Sequence, residues 1–123
     1  MIRYECLELL APLMTDQLVV TSQSGQRVEW SHLSKHEGNL LVGSMGNALG
    51  VGIGLALALP HRKVIVLESD GSLLLALFNL ATLANSNPSN LSVFEFHGGP
   101  NFPLPYRRQT EAYCHSTFQC LLF

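Results

Sequence analysis

The sequence predicts an α/β domain in which a mostly parallel sheet lies between two helical layers. Three observations carry this. Short runs rich in aliphatic and β-branched residues recur at Leu18–Thr21, 64–67 and Leu91–Phe96. Segments of helical period separate them, as crossover connections between parallel strands require. Each run ends in a polar or glycine-containing turn, and the carboxyl ends of parallel strands are where such sheets bind ligands.

Composition supports one domain with much of its surface covered. The chain has 123 residues, 47% hydrophobic and only 13% charged, against roughly 25% charged in an average soluble domain. Seven Lys and Arg against nine Asp and Glu give a formal charge of −2. That leaves no basic excess to neutralise a phosphate backbone, so a nucleic-acid partner is not expected. Low charge and high hydrophobicity exclude a disordered chain and point to cover by another subunit, in a homo- or hetero-oligomer. Cys6, Cys114 and Cys120 are odd in number and unpatterned in spacing, which suits a reducing compartment. The first residues hold Glu5 and no apolar core, unlike a signal peptide. A cytoplasmic location is the expectation.

Taken in order, residues 2–13 place Cys6, Leu9, Leu10 and Leu13 at helical spacing. Leu18–Thr21 reads as a strand, closed by a polar loop from Ser22 to Gly25. Residues 40–60 carry no charge, a window long enough to raise the question of a membrane span. Five glycines interrupt it, and its most apolar part, residues 51–59, is far shorter than the ~20 residues a spanning helix needs. A buried helix is expected instead, with Gly46, Gly50 and Gly54 forming a smooth stripe for close backbone approach. Residues 64–67 are a continuous apolar run of the kind buried on both faces. Residues 72–85 read as a second helix, stopped before Pro88, and Leu91–Phe96 as a third strand. From His97 onward glycine and proline break the pattern. The expected organisation is an α/β unit over 1–99 and an irregular tail over 100–123. Three parallel strands are few for a sheet buried on both faces, so the far edge is expected to need cover.

The richest chemistry lies where the second run ends, at Glu68-Ser69-Asp70-Gly71-Ser72. Gly71 permits a tight turn, Ser72 can cap the following helix, and a helix start attracts anionic oxygens. Asp70 offers the hard carboxylate oxygen that suits Mg²⁺ between protein and phosphates. The same residues also make an ordinary turn and cap. Met45 is equally suited to a curved ligand face or to plain core filling.

Together with Gly43-Ser44-Met45-Gly46 and the strand end His97-Gly98-Gly99, this turn resembles the diphosphate-binding domain of thiamine-diphosphate enzymes. Within that superfamily the likeness is strongest to sulfopyruvate decarboxylase beta chains and phosphonopyruvate decarboxylases. It runs from about residue 1 to 99 and includes Val19-Val20-Thr21, the Gly52–Ala58 stretch, Arg62-Lys63-Val64, Asp70–Leu74 and Asn90-Leu91. The resemblance implies a three-layer thiamine-diphosphate-binding fold, cut short at its C-terminus because the family's domain continues beyond the third strand. It implies Asp70 as Mg²⁺ ligand, with Gly71 and Ser72 beside the diphosphate. It implies the Gly43 carbonyl as acceptor for the aminopyrimidine, Ser44 within that loop, and Met45 as the support beneath the bent cofactor. The implied activity is decarboxylation of small anionic 2-oxo acids, a lyase reaction. A separate alpha-type subunit would carry the pyrimidine-binding domain and its activating glutamate, so the chain alone is expected to be inactive.

Two positions depart from the pattern. Ser69 stands where the family's motif begins with glycine, and Gly98 stands where the metal-binding asparagine falls. Asn101 is the nearest replacement ligand, since imidazole from His97 suits Mg²⁺ poorly. Weak or absent metal-dependent cofactor binding is the corresponding expectation, and a non-catalytic relative serving as an assembly module is the alternative to the enzyme. Glu68 and Glu95 are expected to face solvent at strand ends, and His32, His36 and His61 to be surface histidines. The loop residues Gln23 to Arg27 fall near the family's substrate position without a specific match. Cys114, His115 and Cys120 lack the spacing of a metal site.

Overall fold

The computed structural model describes residues 3–23 and 25–96. The tail over 100–123 therefore lies outside the described residues, as do His97, Gly98, Asn101, Cys114, His115 and Cys120. The described chain runs α1 (Arg3–Leu10), a 3₁₀ turn (Ala11–Leu13), β1 (Leu18–Thr21), α2 (Gly25–Leu33), β2 (Asn39–Leu41), α3 (Ala48–Ala58), β3 (Val64–Ser69), α4 (Asp70–Leu75), α5 (Phe78–Ser86) and β4 (Leu91–Phe96). All pairings are parallel, in the order β2-β1-β3-β4. The expected α/β architecture is present, with four strands among the described residues rather than three.

Both faces of the sheet are packed. Leu7 of α1, Trp30 of α2, Val19, Ile65 and Leu67 form the core on one face. Val20, Val64, Val66 and Leu91 meet Leu49, Ile53 and Ala56 of α3 and Leu83 of α5 on the other. This is the three-layer arrangement that strands without polar alternation require. Successive strands lie on opposite sides of β1, because β2 flanks it on one side and β3 on the other. The crevice between β1 and β3 is thus the topological switch point, the usual ligand position in open α/β sheets.

Several expectations are corrected. Ser22 and Gln23 leave the strand without helical structure, as expected, but Gly25, expected in the loop, opens a helix, α2, that the expected order of elements did not include. α2 is held by long-range partners that no local pattern reveals: Arg3 donates to both Glu29 carboxylate oxygens at 2.8 and 2.7 Å, and Trp30 Nε1 donates to Asn39 Oδ1 at 2.9 Å. β2 escaped notice because it is a three-residue, largely exposed edge strand. The expected helix over 72–85 breaks at Ala76, whose φ of −136° leaves the helical region. Ala76 is buried against the segment that follows β2: a Cβ on Gly46 would lie 3.3 Å from the Ala76 Cβ. Tertiary contact, not a helix-breaking residue, sets this boundary.

The glycine stripe is also different. Gly46 precedes α3, and a side chain on Gly54 would meet nothing within 4 Å. Gly52 is the position of close approach, because a Cβ there would overlap the Val66 Cγ2 on β3. α3 is closed at its other end by Asn90, whose amide donates to the carbonyls of Ala56, Leu59 and Arg62 at 3.0, 3.0 and 2.7 Å. No helix among the described residues is long and apolar enough to cross a membrane.

Candidate functional site

Two segments meet at the carboxyl end of the sheet. The first, Gly43 to Asn47, leads from β2 into α3; the second, Ser69 to Ser72, leads from β3 into α4. Gly46 joins them. Its φ is +82°, a left-handed conformation that favours glycine. Its N–H donates to Ser72 Oγ at 2.8 Å, and its carbonyl accepts from Asn79 Nδ2 at 3.3 Å. Ser72 is fully buried and Asn79 nearly so. Buried polar groups must find partners, and here they find the same glycine.

Ser72 is therefore not a helix cap. The N-cap position belongs to Ser69, which makes no side-chain capping bond. Ser69 has φ −115° and ψ 153°, ordinary extended backbone, so a serine fits there without strain. Gly71 likewise has no left-handed φ; it lies within α4, and its N–H donates to Asp70 Oδ1 at 2.7 Å. What glycine provides at position 71 is room. A Cβ would reach nothing closer than the Met45 Cε, 3.8 Å away, and one at position 43 would meet nothing within 4 Å.

The expected site residues thus fall into one neighbourhood. Gly43, Ser44 and Met45 are exposed, Asp70 and Gly71 are half-buried, and Ser72 lies beneath them. Met45 is 45% exposed and its methyl group lies towards Gly71, which excludes plain core filling. Asn101 and Gly98 lie outside the described residues. Among the described residues no three His, Cys, Asp or Glu side chains gather to hold a metal. A Mg²⁺ ion bound through phosphates needs only one or two protein carboxylates, and Asp70 has the position and the hard oxygen donors for that. Two open glycine surfaces, a half-exposed carboxylate and an apolar methionine fit a phosphate-bearing cofactor with a metal.

Around this centre three further features emerge. Glu68, expected at the surface, is fully buried. Its Oε1 accepts from the Ser69 N–H at 3.2 Å, whereas Oε2 has no hydrogen-bond partner among the described residues. Glu95 is its register partner on β4 and is half-buried. Ser22 and Gln26 are buried at the end of β1 and joined by a 2.8 Å bond from Gln26 Nε2 to Ser22 Oγ, so the strand-end loop there is tied down by its own side chains. His32, His36 and His61 are exposed, as expected. The residue that sequence patterning missed is Asn79. Its only signal is a polar side chain in an otherwise leucine-rich stretch; because the chain breaks at Ala76, Ser72 and Asn79 lie on separate helices and helical spacing does not predict their meeting.

Comparison with known proteins identifies the family. Residues 21–94 match the family described as "Thiamine pyrophosphate enzyme, C-terminal TPP binding domain". The sulfopyruvate decarboxylase subunit beta of Methanothermobacter thermautotrophicus is 36% identical over 92 residues, covering 74% of this chain and 49% of the relative. That of Methanococcus maripaludis is 35% identical over 89 residues, covering 72% and 48%. The phosphonopyruvate decarboxylase of Streptomyces viridochromogenes is 40% identical over 84 residues, covering 68% of this chain and 21% of the relative. The chain spans about half the length of the beta subunits it matches. With the family match extending from the end of β1 into β4 and enclosing both segments of the site, the chain belongs to the thiamine pyrophosphate enzymes through their C-terminal TPP-binding domain.

Proposed function

We propose that this chain supplies the diphosphate- and metal-holding half of a thiamine-diphosphate- and Mg²⁺-dependent decarboxylase of small anionic 2-oxo acids, sulfopyruvate- or phosphonopyruvate-like, in the cytoplasm. The observation that carries the reading is the 2.8 Å bond from the Gly46 N–H to Ser72 Oγ, which knits the two motif segments into one surface beside the switch point. The names of the similar proteins supply the substrate class.

The roles follow from the side chains. Asp70 would hold the metal through its carboxylate and Gly71 would line the diphosphate, while Ser72, fully buried, lies beneath that surface and is held to Gly46 rather than turned to the ligand. Gly43 presents its carbonyl to the aminopyrimidine, and Met45 supports the apolar face of the bent ligand. When bound, the cofactor supplies the electron sink that lets CO₂ leave a 2-oxo acid. The protein's own task is to fix position and exclude water, which strengthens every electrostatic contact made there. Gly98 takes the place of the family's side-chain metal ligand, so Asp70 carries more of the metal's protein coordination and Mg²⁺-dependent affinity is weak without a companion. That companion is an alpha-type subunit. Leu74 and Leu75, exposed at the end of α4, and Leu77 and Phe78, exposed at the start of α5, offer it an apolar face next to the site.

Co-purification of the full chain with its alpha-type companion, followed by CO₂ release from sulfopyruvate and phosphonopyruvate, tests this. Activity that needs both chains, thiamine diphosphate and Mg²⁺, and that Asp70→Asn abolishes, is the expected result. A complex that forms but neither binds the cofactor nor releases CO₂ assigns the chain to an assembly role instead.

A further inference from the structure

Beyond the residues expected to touch the cofactor, the structure contains a device that fixes where they stand. Residues 43–45 are exposed, and nothing in their sequence restrains them. The next residue, Gly46, is restrained on both sides. Its N–H belongs to the peptide with Met45 and is held by Ser72 Oγ at 2.8 Å. Its carbonyl belongs to the peptide with Asn47 and is held by Asn79 Nδ2 at 3.3 Å. Two peptide planes meeting at one Cα are thus anchored, so neither φ nor ψ of Gly46 can turn without breaking a buried bond. Ala76, Leu75 and the Ser72 carbonyl close around the same Cα.

Asn79 is itself wedged in place. A Cβ on Gly50 would lie 3.4 Å from its amide nitrogen and oxygen, so the side chain sits against the first turn of α3. It reaches the Gly46 carbonyl only because the helix breaks at Ala76 and α5 starts afresh at Phe78. The break and the clamp are one feature.

We propose that Asn79 is a positioning residue: with the Ser72 hydroxyl it pre-sets the Gly43–Met45 loop in its cofactor-binding geometry. Pre-organisation raises affinity by removing the ordering cost at binding. This rests on the reading of that loop as part of a thiamine diphosphate site. Asn79→Asp keeps the shape and removes the donor to the Gly46 carbonyl, setting two acceptors against each other. Ser72→Ala removes the other anchor and serves if the first variant does not fold.

The test combines residue-resolved amide hydrogen exchange on the ligand-free full chain with calorimetry using thiamine diphosphate and Mg²⁺. Asn90→Ala, which loosens the far end of α3, is the control for simple loss of stability. Either clamp variant is expected to speed exchange at Met45, Gly46 and Asn47 about tenfold while Val66 and Leu67 in β3 keep their native rates. Cofactor affinity should fall about tenfold in the same variants and stay unchanged in Asn90→Ala. Native exchange at 45–47 in both variants overturns the proposal. So does acceleration that extends equally into β3, or an affinity loss that Asn90→Ala reproduces. If the native chain binds no cofactor even with its companion present, the functional reading fails, and the exchange pattern alone still decides whether the clamp exists.

Discussion

α3 and the stretch from Leu74 to Phe78 are similarly apolar, yet their surroundings are opposite. α3 buries Ala48, Leu49, Gly52, Ile53 and Ala56, and at Gly52 its backbone comes so close to β3 that no side chain fits. The second stretch leaves Leu74, Leu75, Leu77 and Phe78 between 51% and 71% exposed. Hydrophobicity alone does not say which apolar segment finds cover within its own chain. Glycine placement gives α3 its cover, because omitting a side chain lets helix and strand approach. In the 74–78 stretch only Ala76 is buried, against Gly46, and the four large side chains lie open beside the site, on the face proposed above for the companion subunit.

The contrast can be broken most severely at Gly52. Gly52→Val forces a branched side chain into Val66 and is expected to cost about 1–3 kcal/mol or more. Even Gly52→Ala should destabilise, because the overlap outweighs a helix-propensity gain of up to ~1 kcal/mol. The same change at Gly54, where space is open, should instead stabilise by about 0.5–1 kcal/mol. Denaturant melts of the two alanine variants should therefore move in opposite directions. Shifts of the same sign would refute the close-approach explanation.

Gly46→Ala comes next. The left-handed φ of +82° and the 3.3 Å approach to the Ala76 Cβ make it cost about 1–3 kcal/mol, with thiamine diphosphate binding lost in calorimetry. Asn90→Ala leaves three carbonyls short of a donor at the end of α3, and about 1–2 kcal/mol in urea unfolding is expected. The smallest stability effect belongs to the exposed stretch. Phe78→Ser, at 71% exposure, should change the chain's own stability by no more than about 0.5 kcal/mol while weakening capture of the companion subunit. A large drop in melting temperature would mean that Phe78 packs within the chain.

Much of this was legible in the sequence. β1, β3 and β4 were, because continuous aliphatic runs bounded by turns have few other uses. The two motif segments were legible through their resemblance to a known family. α2 and β2 were not, because Gln26, Trp30 and Asn39 acquire their meaning only from partners elsewhere in the chain. The Ala76 break was invisible for the same reason. The turn at Asp70-Gly71-Ser72 was found for partly mistaken local reasons: Ser72 does not cap and Gly71 makes no glycine-only turn. Both residues matter through what they face, Gly46 in one case and open space beside Met45 in the other. Glu68 misled because a strand-end acid normally reaches water, whereas here it is buried between neighbouring strands.

The central claim is that Gly43–Gly46 and Asp70–Ser72 act as one surface for the cofactor's diphosphate. The most direct measurement is an amide-resolved NMR titration of the full chain with thiamine diphosphate and Mg²⁺, repeated with unphosphorylated thiamine. Amides of both segments should shift together along a single binding curve, and thiamine should move them far less. Shifts confined to one segment, equal shifts with thiamine, or none at millimolar cofactor would contradict it.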